Sequence, residues 1–337
     1  MYSNKSKKQL NFNVIKKILI YNSGGGLGDS IQLFDLILSL KNKFNNADFF
    51  YLGAHTNHFN KSLLDYNIPI KTLDLNLKYF GFRWWHLFAV KEKIKTLSFN
   101  KFDLIIDLQS KLRNTLILKM IPADHFYSST LNFLFSSKKV NFSKVKYNID
   151  VTIQNISKLI SDDIPYQSYS LDLINKKFYD EACKILPHNN YVGFSLTQGN
   201  LYRKKSWSLD KFIEVAKEVV KRNDIPVFFI QKEHVEIINS IKNQVKESIF
   251  PEEASSLSGP ALVTALSTRL KQAVTIDNGI MHMISLSNIP MIVLFGPTKS
   301  NKFAPKIKDI KILDSKKIYN SPDINKISAQ EVIEFLK

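Results

Sequence analysis

Three turns that directly follow β-like runs hold the residue types that can do chemistry. The first, Ser23-Gly-Gly-Gly-Leu-Gly-Asp29, ends in a carboxylate and opens a stretch with apolar residues at Ile31, Phe34, Ile37, Leu38 and Leu40. Glycines at this density let a backbone approach a ligand closely. The pattern is not a dinucleotide fingerprint, because Asp29 stands where the third glycine belongs, and it lacks the Gly-Lys-Ser/Thr of a P-loop. Asp29 keeps two readings: a helix cap that accepts bonds from free backbone N–H groups, or a general base that takes a proton from an attacking hydroxyl.

The second turn runs from Ser195 through Leu196-Thr-Gln-Gly-Asn-Leu-Tyr-Arg-Lys-Lys-Ser-Trp207. Hydroxyls beside three consecutive cations suit a diphosphate: Lys205 can set a point charge against phosphate oxygens, and Ser195 or Thr197 can donate hydrogen bonds to them. A solvated basic loop is the alternative. The third turn lies in Ala273-Val-Thr-Ile-Asp-Asn-Gly-Ile-Met-His282, followed by an apolar helix and Phe295-Gly-Pro-Thr298. A strand ending at Asp277 and a helix beginning at Gly279 aim the N–H groups of Asn278 and Gly279 at a common point, an anion site reinforced by the helix dipole. His282 either hydrogen-bonds phosphate or is a satisfied core histidine.

Transferases that bind a metal on the diphosphate commonly use two aspartates one residue apart, and the chain has no Asp-x-Asp. His55 and His58 show no zinc-type spacing. We expect no metal and no cofactor, with cations and helix ends neutralising any bound phosphate.

Parallel strands must position these turns. Short β-branched or aromatic runs alternate with stretches of helical period, the pattern of a parallel sheet covered by helices. The runs predict strands at Lys17–Asn22, Asp48–Gly53, Lys71–Asp74, Phe102–Leu108 and Ala123–Tyr127 in the first half. In the second they predict Tyr191–Ser195, Pro226–Gln231, Ala273–Asp277, Met291–Phe295 and Ile310–Leu313. Helices should begin near Asp29, Arg83, Lys111, Ser208, Glu233, Pro260 and Gly279, and Ser328-Ala-Gln-Glu331 spells a capping box for a closing helix. A linker with a possible helix is expected in Asn148–Leu173, where Pro165 disfavours helix at the residue before it. Ligands of such folds bind just beyond the carboxyl ends of the strands.

Length and composition bound the rest. At 337 residues the chain suits two domains. Its 44% hydrophobic and 23% charged residues exclude a disordered, collagen-like or disulfide-scaffold protein. A net charge of +17 favours polyanionic partners: nucleic acid, anionic lipid or phosphorylated sugars. The sole cysteine, Cys183, reads as a packed thiol on a helix. Met1 to Leu10 is polar and basic, the apolar run that follows is too short for a signal peptide, and no window is long enough to span a membrane. The expected setting is cytoplasmic, with at most peripheral contact on the inner membrane.

In this order the clusters resemble glycosyltransferase family 9, the bacterial ADP-heptose:lipopolysaccharide heptosyltransferases. The matching landmarks are Gly28-Asp29; Asp107-Leu-Gln109 with Arg113; Lys205-Ser-Trp207; Asp277 to His282 as Asp-x-Gly-x-x-His; and Phe295 to Thr298. The resemblance, from about Lys17 to the closing helix, implies a GT-B architecture, two Rossmann-like doubly wound domains facing a cleft. Residues 1–160 would hold the acceptor and 161–337 the nucleotide-sugar donor, with a closing helix at about 328–337. It implies an inverting, metal-independent transfer to a lipopolysaccharide core or other cell-envelope glycan, with Asp29 as base. Ser195, Thr197, Lys205, Asp277, Asn278, Gly279 and His282 then fall on the donor side, and Glu233 takes the place of a carboxylate on the ribose hydroxyls. Gly26, Gly28, Gln109, Lys111 and Arg113 fall on the acceptor side, where the cations meet a phosphorylated glycolipid.

The chain departs from the family in three ways: no proline follows a few residues after Asp29, the loop before Lys205 is longer, and Ser208 stands where proline often follows the tryptophan. These bear on donor sugar and acceptor rather than on fold. Another nucleotide sugar with a polysaccharide acceptor is the nearest alternative. A basic nucleic-acid-binding protein, suggested by charge and by Trp84 and Trp85, lacks any helix-turn-helix, zinc-finger or RNA-binding signature, and the aromatics mostly fall at strand-core or helix-face positions.

Overall fold

A computed structural model describes residues 15–22, 26–53, 57–75, 77, 80, 83–97, 101–144, 148–196 and 205–337. The first half runs β1 (Lys17–Asn22), α1 (Leu27–Ile31), α2 (Phe34–Lys43), β2 (Asp48–Gly53), β3 (Lys71–Thr72), α3 (His86–Thr96), β4 (Phe102–Asp107), α4 (Leu112–Leu118), β5 (Ala123–Ser128) and α5 (Ile149–Ile160). The second runs α6 (Lys176–Ile185), β6 (Tyr191–Ser195), α7 (Leu209–Lys221), β7 (Ile225–Phe228), α8 (Val235–Gln244), α9 (Pro251–Ala254), α10 (Pro260–Ser267), β8 (Leu270–Ile276), α11 (Gly279–Ser285), β9 (Met291–Phe295), α12 (Ser300–Phe303), β10 (Ile310–Asp314), α13 (Ser315–Tyr319) and α14 (Ala329–Ile333). Each half is one five-stranded parallel sheet, ordered β3-β2-β1-β4-β5 and β10-β9-β8-β6-β7.

The central strands are largely apolar because both of their faces are covered. Along β1, Ile18 and Ile20 join one hydrophobic cluster while Leu19 and Tyr21 join another. Along β9, Met291, Val293 and Phe295 alternate with Ile292 and Leu294 in the same way. The first of these clusters is continuous across both halves, from Ile18 and Phe34 through Tyr66 to Leu262, Met281 and Met283. Tyr66 ties it polar end to polar end: its hydroxyl donates to the Pro260 carbonyl at 2.8 Å and lies 2.7 Å from Thr264 Oγ1.

The expected linker segment is largely ordered structure. Asn148 Oδ1 caps α5 by accepting from Val151 N, and Ser161 ends the helix in a left-handed conformation, φ 57°. The extended chain beyond is tied along α2, where Asp35 accepts from Tyr166 Oη and Tyr169 N. Cys183 is a correction: it is exposed, because α6 buries Phe178 and Ala182, and the next position turns about 100° away from that face. The capping box at Ser328 and Glu331 is formed. Among the described residues no helix is long and apolar enough to cross a membrane.

Candidate functional site

In an open parallel sheet the crevice lies where strand order reverses, since the loops leaving the two strands there diverge to opposite faces. The first sheet reverses between β1 and β4, the second between β6 and β8. The turns after these four strands carry Asp29, Gln109, Lys205 and Asp277–Gly279.

At the first switch, Gly26 occupies the N-cap of α1 and makes no side-chain cap bond, while Asp29 is the third helical residue. Asp29 is therefore not the N-cap residue. A Cβ built on Gly26 would lie 3.2 Å from Asp29 Oδ2, so the carboxylate rests over that glycine. Its charge also helps push the buried Tyr51 phenol up to about 12, after desolvation as the main cause. Asp29 lines a cavity of about 520 Å³ together with Gln32, Asn22 and Gln109. The amide of Gln109 donates to Asn22 Oδ1, and Asn22 Nδ2 donates to the Asp29 carbonyl at 3.4 Å, linking the β1 and β4 turns.

Asp107 explains why the Gln109 turn holds its shape. Its buried carboxylate accepts from Thr115 Oγ1 at 2.6 Å, Ser128 Oγ at 2.8 Å and Gln109 N at 3.0 Å. Burial nevertheless raises its pKa above the usual carboxylate value, these bonds pulling the other way. The opposite wall comes from Tyr127, Ser129 and the run Leu131-Asn132-Phe133, all three of whose residues have positive φ (47°, 57° and 65°). Three consecutive left-handed non-glycine residues cost about 1–2 kcal/mol each. Such strain at a cavity wall is held by its surroundings; here Phe133 stacks on Phe142 at 4.5 Å. Lys144, Thr152, Lys302 and Phe303 also line the cavity.

At the second switch the polar groups satisfy one another. Lys205 Nζ donates to Asp277 Oδ2 at 2.5 Å and to the Asp277 carbonyl at 3.2 Å, in a largely buried pair. Asn278 caps α11, its Oδ1 accepting from Met281 N at 2.9 Å, while its Nδ2 donates to Ser195 Oγ at 2.7 Å. Lys205 reaches this point because Trp207, two residues on, is buried: its indole N–H donates to the Ile327 carbonyl at 2.9 Å and its ring meets Phe212 edge-on. Lys211 Nζ bonds the Asn325 and Ile327 carbonyls, so the Lys-x-Trp segment is clamped onto the chain's closing turns. In Phe-Gly-Pro-Thr, Gly296 is sterically required, since a Cβ there would fall 2.8 Å from Ile324 Cβ and 2.9 Å from the Pro322 carbonyl.

The two switches meet. Gln32 Nε2 donates to His282 Nε2 at 3.2 Å, and a Cβ on Gly28 would strike His282 Cδ2 at 2.4 Å. Gly279 faces Leu27 and the Gly28 amide at van der Waals distance. Burial depresses His282 to about 4, with Lys205 acting in the same direction and Asp277 opposing, so the ring is neutral and accepts the glutamine N–H.

Of the expected residues, Gly26, Gly28, Asp29, Gln109, Ser195, Lys205, Asp277, Asn278, Gly279 and His282 gather here. Thr197 lies outside the described residues. Glu233 is exposed before α8, close enough to Glu252 to act on its charge. Lys111 is exposed at the start of α4, and Arg113 lines a different depression. Gln32 and Asn22 were missed although signals existed: Gln32 sits three residues after Asp29 on the same helix face, and Asn22 ends an apolar strand. Phe303, at 5.9 Å from Lys205 Nζ, carried no such signal.

Residues 90–333 match the family described as glycosyltransferase family 9 (heptosyltransferase). The chain belongs to glycosyltransferase family 9. It is 22% identical over 286 residues to lipooligosaccharide heptosyltransferase 2 of Campylobacter jejuni subsp. jejuni serotype O:2, covering 83% of this chain and 81% of that one. Among solved structures it resembles a family 9 glycosyl transferase from Veillonella parvula (TM-score 0.68, 19% identity, 95% of each chain). It also resembles the E. coli heptosyltransferase WaaC with ADP (TM-score 0.65, 14% identity, 95% of this chain and 98% of that one). This family 9 protein is a glycosyltransferase of GT-B architecture.

Proposed function

We propose that this family 9 enzyme transfers a heptose from ADP-heptose to the core of a lipopolysaccharide-type glycolipid, with inversion and without a metal ion. Residues 1–160 hold the acceptor and 161–337 the donor. The reading is carried by one observation: Asp29 lies on the wall of the cavity, which first-half turns share with α12, while its own helix abuts α11, which begins two residues after the Lys205 partner Asp277.

The cavity has the size of a small-ligand site, and its wall suits a sugar. Asn22, Gln32, Gln109, Ser129 and Thr152 offer amides and hydroxyls, Tyr127, Phe133 and Phe303 offer apolar faces, and Lys144 and Lys302 suit acceptor phosphates. In the reaction, the acceptor hydroxyl attacks the anomeric carbon as Asp29 takes its proton, and the carbon–oxygen bond to the diphosphate breaks on the opposite face. Lys205 and the α11 N–H groups stabilise the charge that develops on the leaving phosphate. Asp277 orients the ammonium group, and the Ser195–Asn278 bond fixes the turn beside it. The names of the Campylobacter and E. coli relatives support the heptose and ADP assignments.

A thermal-shift screen against ADP, UDP, GDP, CDP and their sugars tests the donor, because a ligand that binds only the folded form raises its apparent stability. Selective stabilisation by ADP and ADP-heptose is expected. A UDP-selective response, or turnover lost to a chelator and restored by Mg²⁺, would overturn the proposal.

A further inference from the structure

We propose that the outer face of α3 and α4 docks this protein on an anionic lipid bilayer. Trp84, Trp85 and Phe88 are 69%, 47% and 65% exposed. They form one cluster rather than scattered contacts, with the Trp84 ring edge-on to Trp85 at 6.1 Å and to Phe88 at 6.3 Å. Leu112 and Leu116 on α4 and Met120, two residues past its end, are exposed as well. Between the helices lies an apolar groove of about 210 Å³, lined by Trp84, Leu87, Leu112, Arg113, Leu116 and Ile117.

The spacing shows that this face is separate from the core. Leu112 and Leu116 are four residues apart and so share one side of α4, while Trp84 and Trp85 lead into α3 beside Phe88 in its first turn. The core side is already made by His86, Val90 and Ile94 on α3 and by Asn114, Thr115, Ile117 and Leu118 on α4. Together the exposed residues form a second apolar surface that no described residue covers, and a contiguous patch of this kind marks an interaction surface.

Charge selects the occupant. Among residues 83–97 and 111–120 there are seven Lys or Arg and one acidic residue, Glu92. Lys91 and Lys95 continue the Trp84–Phe88 line along α3, and the Arg83 guanidinium lies 5.4 Å from the centre of the Trp85 ring. A second copy of the same face would meet like charge. An anionic leaflet attracts the cations, and tryptophan settles at the headgroup level with its ring in the apolar boundary. The geometry also deepens the transferase reading, on which its purpose rests: Gln109 and Ser110 line the acceptor cavity and lead directly into Lys111 and Leu112. Docking by this face sets the cavity beside the bilayer that carries a glycolipid acceptor.

Vesicle flotation of the full chain tests the surface without any turnover. Binding to phosphatidylcholine vesicles containing about 30 mol% phosphatidylglycerol should exceed binding to phosphatidylcholine alone by roughly tenfold and fall in high salt. The Trp84→Ser/Phe88→Ser and Lys91→Glu/Lys95→Glu variants should each lose roughly tenfold in partition while their ADP-induced thermal shifts stay at the parent value. No binding by the parent chain, or undiminished binding by both variants, would overturn the proposal. So would a parent dimer in sedimentation velocity that Trp84→Ser/Phe88→Ser dissolves without any vesicle binding. Failure of the ADP screen with vesicle binding intact would instead strike the transferase reading alone.

Discussion

At the β1/β4 switch the carboxyl edge of the sheet opens into a cavity of about 520 Å³, whereas at the β6/β8 switch the described polar groups are bonded to each other. The two sheets share architecture and differ in what their turns do with polar side chains. The front turns spread amides and hydroxyls around space, as a site for a partner with many hydroxyls requires. The back turns hold a cation in fixed geometry, as a site for a diphosphate requires, because groups that need no reorganisation stabilise developing charge most effectively.

The sharpest way to break this contrast is Asp29→Asn. Loss of a general base predicts a fall in turnover of roughly 100-fold or more with ADP affinity nearly unchanged; unchanged turnover would leave the front switch without a chemical role. Lys205→Ala makes the converse cut. Removing a charge-assisted contact worth about 1.5–3 kcal/mol should weaken ADP binding roughly 10- to 100-fold by calorimetry, and unaltered affinity would remove the cation from the diphosphate.

Two glycines sharpen the comparison where the switches touch. Gly28→Ala drives a methyl into the His282 ring and should cost about 1–3 kcal/mol of unfolding stability. At Gly279 the added Cβ meets Leu27 at 3.7 Å, ordinary contact, so Gly279→Ala should lie within about 0.5 kcal/mol of the parent. Equal effects would mean that the seam is looser than the distances imply.

The effect spread most thinly is a pH slope. His282 is held near 4 when folded and titrates near 6.5 when unfolded. Between these values the unfolded chain binds the extra proton, so this contribution is complete above about 6.5 and is lost as pH falls toward 4. The loss proceeds by at most about 1.4 kcal/mol per pH unit. His282→Gln should flatten that part of the urea-midpoint profile; an unchanged slope would show that the ring is not buried neutral.

Much of this was legible in the chain. Lys17–Asn22, Asp48–Gly53, Tyr191–Ser195 and Met291–Phe295 occur as predicted, because continuous apolar runs bounded by polar or glycine residues have few other places to go. Pairing between distant residues was not legible: Gln32 and His282 are 250 positions apart, and nothing local announces their bond. The left-handed run at Leu131–Phe133 lacks the glycines that normally mark such a turn, so only the assembled wall reveals it. On α3 the helical period is visible, but the sheet takes one side, and period alone does not say that Trp84 and Phe88 fall on the other.

The clamp of Trp207 and Lys211 on the Asn325 and Ile327 carbonyls makes that distant turn a strut for the Lys205 ammonium group, which we propose meets the diphosphate. Substitutions around residues 323–327, remote in the chain from every group that would touch a nucleotide, therefore loosen the Lys205 anchor. Their cost should register first as weaker nucleotide retention, before any change in the chemical step.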